Sequence, residues 1–147
     1  MVETWRAWVS AWTPWTLAAG EAREGPVSLS TRTSGAFAAV ERVEHLGQDG
    51  ALVKLRLTDT LDTSAVAKKY DWLLRELAKI PSEDDNRYTR GDERIVFSVE
   101  TDPTTLRPQH ARLERESHVE LAATGTLPRH TVRDTTFDWA HAEGCKR

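Results

Sequence analysis

Four tryptophans stand near the start of the chain at offsets of three, four and three: Trp5, Trp8, Trp12 and Trp15. On a helix that spacing sets all four indoles on one face. An indole carries a large apolar surface and a single N–H donor. Such a face either plugs a core or offers a platform to a partner, a lipid or a sugar ring. A second pattern is the ladder Glu114, Glu116, His118, Glu120. Carboxylate and imidazole are metal-ligand types, but alternate residues of one strand lie roughly 6.5–7 Å apart and do not converge on one ion. The ladder reads instead as a solvated face paired to arginines on neighbouring strands.

The remaining reactive residues form no recognisable set. His45, His110, His118, His130 and His141 lack HxxxH or HExxH spacing. Glu83-Asp84-Asp85-Asn86 is acidic but has neither the alternation nor the glycine of a calcium loop. Arg90-Gly91-Asp92 matches an adhesion tripeptide too short to carry meaning. The glycines form no phosphate cradle, and no serine sits in a nucleophile elbow. Cys145 is the single cysteine, so no internal disulfide forms. A catalytic thiol needs a positioned base, which a fraying terminus rarely supplies. An acid–base site assembled from distant residues would use His118 with Glu116 or Asp134. The reading is therefore non-enzymatic, with no catalytic residue, no metal and no cofactor. The ligand or partner contacts would be Trp5, Trp8, Trp12, Trp15, Trp72 and Phe97.

Composition limits the elements that position these groups. The 147 residues suit a single domain, 39% of them apolar and 29% charged. That balance predicts a thin core, such as one sheet covered on a single face. A net charge of -3 sets up no field that would gather nucleic acid or an anionic membrane. No run of 18 apolar residues predicts a membrane-spanning helix, and no signal-peptide pattern is present, so the chain as it stands reads as cytoplasmic.

Periodicity supplies the order. Residues 1–25 form a Trp-rich segment with a short helix from Val2 to about Ala11, limited by Pro14. Residues 26–139 hold the sheet and a central helix, and residues 140–147 a flexible tail. Val27 to Thr33 reads as a first strand and Ala36 to Leu46 as a second, with a bulge near Glu41-Arg42 to reconcile Val40 with Phe37, Ala39 and Val43. Gly47-Gln48-Asp49-Gly50 reads as a hairpin loop. Ala51 to Thr60 alternates cleanly, with Val53, Leu55 and Leu57 on one face. The period then becomes helical over residues 63–80, capped by Thr63 or Ser64, with Val66, Tyr70, Leu73, Leu74 and Leu77 on one side. Residues 82–90 read as an acidic loop. Arg94 to Thr101 and Arg107 to Leu121 are strands joined at Asp102-Pro103. A loop at Thr126 to Arg129 leads to a last strand, His130 to Trp139. The fold class is α+β: a single curved antiparallel sheet of about six strands packed on one central helix, plus the short Trp-rich N-terminal helix. Leu55, Leu57, Leu73, Leu77, Phe97 and Leu113 should meet in the core.

The run Asp102-Pro103-Thr104-Thr105-Leu106-Arg107-Pro108, set between two long strands, resembles bacterial envelope proteins of unknown function with a D-P-x-T-L-x-P turn. Some of these are similar in architecture to lipoprotein carriers, whose curved half-barrel wraps a helix and holds acyl chains. The resemblance covers about 50 residues and implies an envelope or secreted setting. The chain has no lipobox cysteine near its start. Two roles follow as expectations. One is a domain that binds a hydrophobic or lipid-like ligand in a sheet–helix groove. The other is a protein–protein interaction or structural module that uses the Trp face and the edge strand near Val27.

Overall fold

The computed structural model describes residues 17–31, 35–67, 70, 88–105, 107–121 and 125–137. Trp5, Trp8, Trp12, Trp15 and Trp72, the N-terminal helix, Leu73, Leu74, Leu77 and Cys145 lie outside these residues.

Six strands form one antiparallel sheet in sequence order: β1 (Ala22–Thr31), β2 (Gly35–Asp49), β3 (Leu52–Leu61), β4 (Tyr88–Thr101), β5 (Pro108–Leu121) and β6 (Gly125–Thr136). Alternation places odd-numbered residues of β2 to β5 on an inner face. Phe37, Ala39, Val43, Val53, Leu55, Leu61, Val99, Ala111 and Val119 are buried there. The fold is dominated by this open antiparallel sheet, and most of the central helix expected over residues 63–80 lies outside the described residues. The described helical residues are 63–67 and 70. Ala65 and Val66 are buried against Phe37, Ala39 and Leu61.

Local chemistry explains the boundaries, several of which differ from the sequence reading. β1 starts at Ala22 rather than Val27 and runs through Gly25 and Pro26. β6 starts at Gly125 and runs through Pro128, within the loop expected at Thr126 to Arg129. Both are edge strands of the described sheet, where proline is tolerated because one side of the strand has no ladder to interrupt. β4 begins at Tyr88 rather than Arg94, so the end of the expected acidic loop, residues 88–90, is strand. No bulge interrupts Glu41-Arg42. Val40 is 44% exposed on the outer face, and the register shifts instead between His45 and Gly47. Gly47 takes φ 115° there, and its N–H donates to His45 Nδ1 at 3.1 Å. The β2–β3 turn is tighter than expected, with Gly50 at φ 59° followed by Ala51 between Asp49 and Leu52.

The helix is capped by Asp62, not by Thr63 or Ser64. Its Oδ1 accepts from the Ala65 N–H at 2.7 Å and from the Ser64 hydroxyl at 2.8 Å. A carboxylate one residue ahead of the first helical turn satisfies an otherwise unpaired amide. Gly91 lets the helix sit down on the sheet. A Cβ at this position would stand 2.6 Å from Val66 Cγ1 and 3.1 Å from the His118 carbonyl oxygen. The β4–β5 turn is held by Asp102, whose Oδ1 accepts from Thr104 N–H, Thr105 N–H and Thr105 Oγ1–H at 2.9, 2.8 and 3.1 Å. These bonds give the D-P-x-T motif a local structural task.

Candidate functional site

The inner face carries two apolar clusters. Val43, Leu55, Val99 and Ala111 form one, with Leu17, Leu57, Phe97 and Phe137 packed against it. Phe37, Ala39, Leu61, Ala65 and Val66 form the other, with Val27, Leu29, Tyr70 and Ile95 at its margin. Along β2 the clusters are separated by Glu41, and along β3 by Asp59. Register pairs these two residues directly across the strands. Directly paired side chains on one face have Cβ atoms about 4.5–5.5 Å apart. Two carboxylates thus share the gap between the two apolar clusters.

Asp59 is only 8% exposed, and its Oδ1 is buried without a hydrogen-bond partner among the described residues. Burial pushes its carboxyl up to about 6, and the Glu41 charge adds to the effect. Burial also raises the Glu41 carboxyl. The physical cause is desolvation, which disfavours the charged form of an acid.

On its other side Asp59 faces Ile95, and Ile95 faces Arg115. That guanidinium is engaged elsewhere: its Nε lies 2.6 Å from Glu93 Oε1, and the Glu93 side chain is fully buried. Arg115 Nε has no hydrogen-bond partner, so this close approach is a charge contact without an aligned N–H. Ser117, 1% exposed, is directly across from Glu93, and its hydroxyl meets the Tyr70 hydroxyl at 3.4 Å. At the far side of Glu41, β1 places Gly25. A Cβ built at Gly25 would meet nothing of the described residues within 4 Å, so among them the row Gly25–Glu41–Asp59 begins in open space.

The expected site residues divide. Phe97 is half-buried against the first cluster. Leu55 and Leu57 are in or beside that cluster, whereas Leu113, expected in the core, is 36% exposed. His118 pairs with Asp92 at 3.0 Å rather than with Glu116 or Asp134. His130 pairs with Glu114 at 3.0 Å, and His110 approaches Asp134 at 3.9 Å. These groups lie on the outer face beside exposed pairs such as Arg42–Glu44 at 3.2 Å and Lys54–Glu100 at 3.4 Å. Each such pair is worth about 1 kcal/mol or less. Among the described residues no group of three or more acidic, histidine or cysteine side chains could hold a metal ion. An outer-face depression of about 310 Å³ is lined by Arg56, Arg94, Val96, Ser98, Arg112 and Glu114. Arg56 and Arg112 already face Glu44 and Asp134 across the strands.

Sequence reasoning missed Asp59, Glu41, Glu93 and Arg115. The signal was present for Asp59 and Arg115, charged residues on the parity otherwise given to the core, but not for Glu41, at an expected bulge, or Glu93, ahead of the expected strand. No helix among the described residues is long and apolar enough to cross a membrane. Compared with family models, curated proteins and solved structures, the chain matches none.

Proposed function

We propose that this chain is a non-enzymatic binding domain whose inner sheet face holds a hydrophobic, lipid-like ligand. Asp59, which has no hydrogen-bond partner among the described residues and is set with Glu41 between two separate apolar clusters, carries this reading. A face built for packing alone would put apolar side chains at these positions, because a buried polar atom without a partner costs roughly 1–3 kcal/mol. Such a cost is retained where a site needs the group.

The test is native mass spectrometry of the purified protein, followed by titration with the neutral dye N-phenyl-1-naphthylamine. A retained mass of a few hundred daltons, or saturable dye fluorescence displaced by a lipid extract, is expected. A bare chain that also leaves the dye dark refutes the reading.

A second reading, an interaction module, draws on the outer edges of β1 and β6, which pair with no other strand of the described sheet. Unpaired edges invite a partner strand. Pro26 and Pro128 stand on these edges, and proline blunts strand addition. A ligand-free dimer in the same spectra would favour this reading over the first.

A further inference from the structure

We propose that Asp59 and Glu41 form a cation subsite that takes the ammonium head of an amphiphilic amine, entered over Gly25. This rests on the binding reading above and specifies its ligand.

Asp59 is 8% exposed, and its Oδ1 has no hydrogen-bond partner among the described residues. Glu41 stands directly opposite and forms no ion pair among the described residues. Two carboxylates facing each other in a partly desolvated gap repel, and a cation relieves both the repulsion and the lost hydration. Among the described residues the protein brings none of its own. Arg115 is separated from Asp59 by Ile95 and is held by Glu93 at 2.6 Å. Arg23, on the same face of β1, pairs in register with Val43 rather than with Glu41 and is exposed.

Shape agrees with charge. Gly25 stands next to Glu41 in the same cross-strand row, and no described residue fills the space where a side chain would be. A head group entering there meets half-buried Glu41 first and Asp59 deeper in. Its apolar body would have Val27 and Ala39 on one side of the row and Val43 and Leu57 on the other. An ammonium donates up to three hydrogen bonds to carboxylate oxygens, and such charge-assisted bonds are the strong ones. A fatty acid would bring a third negative charge into the same gap.

Isothermal titration calorimetry near pH 7.5 with octylamine, octanol and octanoate, each below its aggregation limit, tests the assignment. Octylamine should bind at least about tenfold more tightly than octanol, and octanoate most weakly. Asp59→Asn should weaken octylamine about tenfold or more and leave octanol within about twofold. Gly25→Val, which keeps every charge and fills the entrance, should weaken octylamine comparably. Equal binding of the three probes, or octylamine binding that survives either substitution, overturns the cation subsite while leaving the hydrophobic-binding reading in place. If no probe binds and N-phenyl-1-naphthylamine also fails, both fall together.

Discussion

Replacing Asp59 with Asn should make the protein more stable, and increasingly so as the pH rises. The carboxyl is pushed from its ordinary 3.8 up to about 6 by burial and by Glu41. The folded chain therefore binds more protons than the unfolded chain between those values. By linkage, stability is full below about pH 4 and is lost as the pH rises through about 6. Roughly two pKa units correspond to a ceiling of about 3 kcal/mol. Glu41 is only half-buried, and water screens the pair, so on the order of 1–2 kcal/mol survives. Asn is isosteric and never ionises, so it removes the pH-dependent part and leaves a constant offset. The assay is thermal or urea unfolding of both proteins from about pH 4 to pH 8. Over that range the advantage of Asp59→Asn should grow by on the order of 1–2 kcal/mol, or a melting shift of about 3–6 °C. A difference that stays flat with pH, or grows toward acid, would refute the buried-carboxylate reasoning. A variant that gains stability while losing octylamine would also separate loss of the site from loss of the fold.

Gly91→Ala should destabilise by about 1–3 kcal/mol, because its Cβ would press on Val66 at 2.6 Å; adding Val66→Ala should cost less than the two single changes summed, as read by urea unfolding. Glu93→Gln should cost roughly 3 kcal/mol by stranding the Arg115 charge, whereas Glu93→Gln with Arg115→Met should recover part of that loss in a double-mutant cycle. Asp102→Ala should abolish the slow amide exchange of Thr104 and Thr105. In the parent protein that protection should persist into mild acid, because the two backbone amides hold the Asp102 carboxyl below the usual carboxylate range.

Much of the sheet was legible from alternation alone. Val53, Leu55 and Leu57, then Ile95, Phe97 and Val99, announce strands and the face they bury, because side-chain direction has a period of two wherever a strand forms. The short turns make neighbours antiparallel, and Asp102-Pro103 marks its turn by chemistry carried within four residues. Strand ends were less legible. Pro26 and Pro128 break a strand in the middle of a sheet but not at its edge, and edge position is a property of the whole sheet. Tyr88 to Glu93 has little apolar alternation, yet it pairs with β5 over its length.

The site belongs to the tertiary structure. Glu41 and Asp59 are 18 positions apart, and Glu93 and Arg115 are 22 apart. Only the register of β2 on β3, and of β4 on β5, brings each pair together. The sequence by itself put Asp59 and Arg115 on core parity within clean strands, whereas Glu41 stood at an expected bulge and Glu93 ahead of the expected strand. Which of them meet was decided by strand pairing. Pairing gave Arg115 to Glu93 and left Asp59 facing a second carboxylate, because each contact depends on the relative shift of two strands and neither strand carries that information alone.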